Sequence, residues 1–188
     1  GSRAEAPIVG LGPEGPGGLL SYRRGRLVHR LLQTLPDLPA DRRREACRTY
    51  LARPAHGLEE AAAAALVEEV MAVLEAPDLA PLFAPGSRAE APIVGLGPEG
   101  PGGGRAVVAG QVDRLAVTDD AVLVGDYKTL RPPPDDPADA PAAYLRQMAL
   151  YRSLLREVYP DRPVTCALIW TDGPRLALLP DRLLDRYA

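Results

Sequence analysis

The first third of the chain carries apolar residues at helical spacing. Between residues 22 and 35, Leu27, Val28, Leu31, Leu32 and Leu35 share one face and predict an amphipathic helix that Pro36 ends. Asp41 reads as the N-cap of a second helix over 41–52. Residues 57–75, rich in Ala, Leu and Glu, predict a long helix stopped by Pro77. The pattern then turns to alternation. Residues 88–94 predict a short strand, at an edge because Pro92 has no N–H for a ladder. Arg105–Val117 and residues 121–130 are Val-rich strands joined as a hairpin through Thr118, Asp119 and Asp120. A proline- and aspartate-rich loop fills 131–141, and helical period returns over 142–159, ending before Pro160. Residues 164–171 predict a strand, Asp172-Gly173-Pro174 a turn, Arg175–Leu179 a short partner strand and 183–187 a helical end. Helices, three strands, a helix and one or two further strands predict an α/β fold, a central mixed sheet flanked by helices after an N-terminal helical segment.

Residues 1–18 and 86–103 are one string, GSRAEAPIVGLGPEGPGG, repeated without a change. Identity at every position is not how diverged structural repeats look. The second copy falls between a helix end and a strand, whereas the first ends in a Gly/Pro tract like a linker. Residues 1–20 are therefore read as an appendage and 21–188 as one domain, and Glu90 rather than Glu5 is placed in the strand.

Composition narrows the class. A hydrophobic content of 46% argues against global disorder. Two cysteines, Cys47 and Cys166, cannot build a disulfide framework, a four-cysteine zinc site or a four-cysteine iron–sulfur site. No apolar run reaches the roughly 18 residues of a membrane helix, and the first residues show no signal-peptide pattern, so a soluble, reducing, cytoplasmic setting is expected. The formal charge of −3 excludes a generic polycation that coats nucleic acid. That sum hides a division. Residues 21–56 hold nine arginines against three acids, and residues 57–103 one arginine against eight acids. Arg23, Arg24, Arg26, Arg30, Arg42, Arg43, Arg44 and Arg48 could form a phosphate-facing surface, or simply the solvated face of an Arg-biased protein.

Of 22 basic residues, 21 are arginine; the one lysine is Lys128. It stands in Gly125-Asp126-Tyr127-Lys128-Thr129. Strand alternation puts Asp126 and Lys128 on one face, after Val122 and Val124. Asp113, in the preceding strand, comes close to Asp126 if the hairpin pairs near residues 118–120. Two carboxylates and a lysine can hold a hard divalent cation and a water beside a phosphate. Asp113, twelve intervening residues, then Asp126-Tyr127-Lys128 resembles the signature of the PD-(D/E)XK nucleases; a surface ion pair at a strand end is the plainer alternative. A compact ammonium approaches a water and a phosphate oxygen as a point charge, which guanidinium does not, so the one surviving lysine reads as a position where arginine fails; chance survival in an Arg-biased chain is the plainer alternative. Gln147 and Tyr151 lie i, i+4 on the next helix, on the face of Tyr144, Met148 and Leu155.

Gly-Arg-Leu-Val-His29, Ser-Arg-Ala-Glu90, Gly-Gln-Val-Asp113-Arg-Leu, Asp126-Tyr127-Lys128-Thr129 and Tyr-Leu-Arg-Gln147-Met-Ala-Leu-Tyr151, in that order, resemble the C-terminal nuclease domain of the AddA family. These are the helicase–nuclease subunits of AddAB complexes, with a nuclease of RecB type. The resemblance spans about residues 22–188. It implies a PD-(D/E)XK core and a Mg²⁺- or Mn²⁺-dependent deoxyribonuclease, exonucleolytic within an ATP-dependent helicase–nuclease that processes double-strand breaks for recombinational repair. It implies that His29, Asp113, Asp126 and the Tyr127 carbonyl bind the metal, that Lys128 orients or deprotonates the attacking water, and that Glu90 stands near the metal. Gln147 and Tyr151 would line a DNA-facing wall, with Arg26 and Arg30 as further DNA contacts. Implied partners are single-stranded DNA, helicase domains of the same polypeptide and an AddB-like subunit, in a bacterial cytoplasm. The duplicated segment departs from the family and leaves open which copy, Glu5 or Glu90, meets the site. Two other readings stay open: a non-catalytic DNA-binding or partner-docking module that keeps the fold, and a domain whose acidic cluster binds metal for stability alone.

Overall fold

The computed structural model describes residues 16–99 and 103–188. Glu5 and the rest of the first repeat copy up to residue 15 lie outside the described residues. Helix α1 spans Pro16–Thr34, α2 Ala40–Leu51 and α3 Glu60–Glu75. Strands β1 (Arg88–Glu99), β2 (Arg105–Val117) and β3 (Val122–Lys128) follow, then α4 (Ala142–Val158), β4 (Val164–Trp170), β5 (Arg175–Leu179) and a short α5 (Asp181–Leu184).

The strands form one sheet in the order β1-β2-β3-β4-β5. β1–β2, β2–β3 and β4–β5 are antiparallel, so tight connections join them. β3 and β4 are parallel, which demands a crossover; the 129–141 loop and α4 supply it. The sheet is thus mixed. Alternation in β3 divides its side chains between two cores. Val122 and Val124 pack with Met148, Leu154, Leu155 and Trp170 on the α4 side. Leu123 and Tyr127 face Val28, Leu32, Val70, Leu74 and Leu82 on the side of α1–α3.

Several features differ from the sequence reading: α1 begins at Pro16, inside the stretch read as an appendage, and the last helix covers Asp181–Leu184 where 183–187 was predicted. Asp41 lies in the first turn of α2; Pro39, with φ −52° and ψ 140°, is the boundary residue, because its ring sets an extended backbone just ahead of the helix. Residues Pro77–Phe83 wind into a 3-10 segment that buries Leu79 and Leu82, where proline had signalled only an end. β1 runs on to Glu99 through Pro92 and Pro98, tolerated because its outer side has no partner strand. No helix among the described residues is long and apolar enough to cross a membrane.

Candidate active site

The β2–β3 ladder pairs Val117 with Val122 and continues to Arg114 with Gly125, then stops. The next opposed residues are Asp113 and Asp126. Instead of reaching a β2 carbonyl, the Tyr127 amide donates to Asp113 Oδ2 at 2.8 Å. A carboxylate therefore occupies the point where the strands part. On the other edge of β2, Glu90 lies between the pairs Ala89–Arg114 and Ala91–Val112, opposite Asp113. Its φ is +50°, a left-handed backbone that costs a residue with a Cβ about 1–2 kcal/mol. The side-chain amide of Gln111 donates to the Glu90 carbonyl at 3.2 Å.

α1 brings His29 to the same place. Gly25 and His29 are one turn apart on one face of that helix. A Cβ on Gly25 would stand 3.2 Å from Thr129 Oγ1, so glycine permits the helix to lie close against the end of β3. One turn on, His29 packs edge-on against the Tyr127 ring, centroids 5.7 Å apart, with Nδ1 3.5 Å from Asp113 Oδ2. The end of β3 and α1 thus meet at the same Asp113 oxygen.

Asp126 is 3% exposed. Burial, and next the neighbouring Asp113 charge, push its pKa up to about 6; Lys128 and His29 oppose the rise. Lys128 forms an ion pair with Asp126 Oδ2. Burial raises the Glu90 pKa too, and the Asp113 charge adds to it. For His29 burial works downward, yet the contact with Asp113 and the Asp126 charge outweigh it and the pKa rises. Several acids and one imidazole thus crowd a space short of positive charge, the electrostatics of a cation site.

Lys128 is fixed by three groups. Besides Asp126, its Nζ donates to Gln147 Oε1 at 3.2 Å and lies 4.0 Å from the Tyr144 ring centroid. Gln147 Nε2 donates to Tyr151 Oη at 3.1 Å, and Tyr151 donates to the Gln111 carbonyl at 2.9 Å. Tyr144 is the functional contact not singled out from sequence; its i, i+3 spacing from Gln147 was the available signal. Tyr151 is 5% exposed, so it does not form an outer DNA-facing wall; it braces Gln147 against β2. Gln147 is half-buried and faces the site.

The arginine surface is smaller than the sequence suggested. Arg24 pairs with Glu69 and Arg44 with Glu68, both on α3, and Arg43 donates to the carbonyls of Leu38 and Pro36. Arg26 and Arg30 on α1 stay exposed, Arg30 donating to Gln33 at 2.7 Å. Burial pushes the thiols up, Cys47 to about 11 and Cys166 to about 12, so neither serves as a thiolate nucleophile.

Among the described residues no group of three or more His, Cys, Asp or Glu side chains is placed to hold a metal ion. The donor chemistry alone fits a divalent ion: His29 Nδ1 stands 3.5 Å from Asp113 Oδ2, and the Asp113 charge acts on the buried Asp126 carboxyl.

Asp113 and Asp126 thus stand where β2 and β3 part, with Lys128 at the end of β3, on a five-stranded mixed sheet. The chain matches the PD-(D/E)XK nuclease superfamily over residues 8–177 and belongs to it. Members are generally metal-dependent nucleases. Comparison with curated proteins gave no match. Among solved structures, that of SSO0001 aligns over 90% of this chain and 83% of its own at 14% identity, with a TM-score of 0.37. That score is too low to carry any argument.

Proposed function

We propose that this domain hydrolyses single-stranded DNA with Mg²⁺ or Mn²⁺, as the nuclease unit of an AddA-type helicase–nuclease that prepares broken DNA ends for recombination. In the whole protein it acts as an exonuclease fed by helicase domains of the same polypeptide, beside an AddB-like subunit in a bacterial cytoplasm. One observation carries the reading: the chain's single lysine is held beside a buried aspartate by Gln147 and Tyr144.

His29, Asp113, Asp126 and the Tyr127 carbonyl would hold the ion, with Glu90 beside them. When bound, it supplies a water of lowered pKa and neutralises a phosphate oxygen. The rest falls to the protein. Asp113 is anchored by the Tyr127 amide. Lys128 orients the attacking water and places a positive charge where the phosphorane gains negative charge. Gln147 fixes the direction of the ammonium, and Tyr151 fixes Gln147. Arg26 and Arg30 would receive backbone phosphates. Contacts to phosphates carry no base identity, so cleavage has little sequence preference.

The test is cleavage of labelled single-stranded DNA with either ion by the parent, Lys128→Ala and Asp126→Ala. Loss of cutting in both variants supports the assignment, and parental rates in both end it. Salt-dependent DNA binding without metal-dependent cutting would instead point to a docking module.

A further inference from the structure

The imidazole and the carboxylates of the site come from separate layers. His29 belongs to α1, and Asp113, Asp126 and Lys128 belong to the sheet. What fixes one layer on the other decides whether His29 meets Asp113. Next to the Gly25–Thr129 approach lies a second junction. The Glu69 side chain on α3 is 8% exposed, and its Oε2 accepts from two guanidiniums. One is Arg24 of α1, next to Gly25 and on the turn before His29. The other is Arg131, at 2.7 Å, three residues beyond Lys128. Arg131 also reaches Asp172 in the β4–β5 turn, at 3.4 Å. One buried carboxylate thus ties the helix of His29 to the segment leaving Lys128 and, through Arg131, to the neighbouring β4–β5 turn.

We infer that Glu69 is a positioning residue: it holds α1 on the end of β3 so that His29 and the two aspartates are presented together to a divalent ion. This rests on the metal-site reading above. The physical ground is stiffness. A two-armed charged junction, its carboxylate buried although its Arg131 arm is half-exposed, adds charge-assisted hydrogen bonds to the close approach at Gly25. A shift of α1 by one ångström would part His29 from Asp113, already 3.5 Å away. Residues that orient metal ligands typically change metal affinity ten- to a hundredfold when removed.

Mn²⁺ affinity, read from the electron paramagnetic resonance signal of the free ion, tests this apart from catalysis. Glu69→Ala is expected to weaken binding about tenfold. Glu69→Gln, which keeps an acceptor, should lose less. Glu68→Ala breaks the adjacent Arg44 pair, which ties α2 and not α1, and should leave affinity as it was. The deciding comparison is made on a His29→Ala background. If Glu69 acts through His29, Glu69→Ala there adds no further loss. An equal loss on both backgrounds, or parental affinity in Glu69→Ala, overturns the inference. Should Glu69→Ala fail to fold, Arg131→Ala and Glu69→Gln carry the same comparison. Failure of the nuclease reading is separable: a parent that binds Mn²⁺ with this coupling yet cuts no DNA sinks that reading alone, whereas a parent that cuts without the coupling sinks this one alone.

Discussion

At the scale of single residues the site depends on a choice between two cations. Lys128 donates to Gln147 and sits over Tyr144, a space shaped for an ammonium. A guanidinium there would keep the charge and lose the point contact. Lys128→Arg is therefore expected to cut single-stranded DNA about 100-fold more slowly in single-turnover assays, while binding Mn²⁺ as the parent does. Parental rates in that variant would mean that any cation suffices. Asp126 gives a second expectation. Its carboxyl is raised from 3.8 to about 6 in the folded chain, so the native state keeps a proton that the unfolded chain has released. The stability tied to that proton is full below about pH 4 and gone above about pH 6. His29, raised from 6.5, adds a loss of the same sign at higher pH. In urea melts without metal, Asp126→Asn should gain on the parent as pH rises from 4 to 7. An advantage independent of pH would contradict the burial argument. Glu90 shows where sequence stops informing. Its place beside Asp113 followed from the motif, but its left-handed backbone did not, because glutamate gives no local signal for a positive φ.

At the scale of elements the sheet owes its shape to glycines with bulky neighbours. A Cβ on Gly125 would stand 2.8 Å from Ile169 Cδ1 and 3.1 Å from Leu82, inside the packed core on the α1–α3 side. Gly125→Ala should cost about 1–3 kcal/mol, seen as a lower urea midpoint at unchanged slope. A Cβ on Gly110 would meet the Tyr151 ring at 2.9 Å, so Gly110→Ala strikes the brace under Gln147. The strands were legible because alternation is a strong local signal: Arg105–Val117 and Arg175–Leu179 are the strands observed. The Asp113, Asp126 and Lys128 grouping was legible for the same reason, with the hairpin fixing the partners. What sequence could not show came from distant neighbours. Glu69, in a helix rich in Ala and Glu, looks like any solvated acid; its partners Arg24 and Arg131 lie 45 and 62 residues away along the chain. Tyr151 was read as a wall and is a brace, since its hydroxyl finds the Gln111 carbonyl on another strand.

At the scale of the whole molecule part of the charge is held in ion pairs between elements. Arg24, Arg44, Arg131 and Arg152 each pair with acids of another element. Only part of the arginine excess on the N-terminal helices is left to face solvent, with Arg26 and Arg30 nearest the site. The Arg26→Ala, Arg30→Ala double variant should bind single-stranded DNA more weakly, and its slope of log affinity against log salt should be shallower by roughly 1.4, about 0.7 per lost phosphate contact. An unchanged slope would remove both residues from the DNA path. The parallel pairing of β3 with β4 bears on biosynthesis. Asp113 and Asp126 lie on a hairpin that closes from neighbouring residues, so the two acids can meet early. The groups that aim Lys128 arrive only with α4, and β4 can align beside β3 only after that long crossover is made. Contacts so far apart along the chain form late. A growing chain thus brings its two acids together before Gln147 and Tyr144 are in place around its lysine.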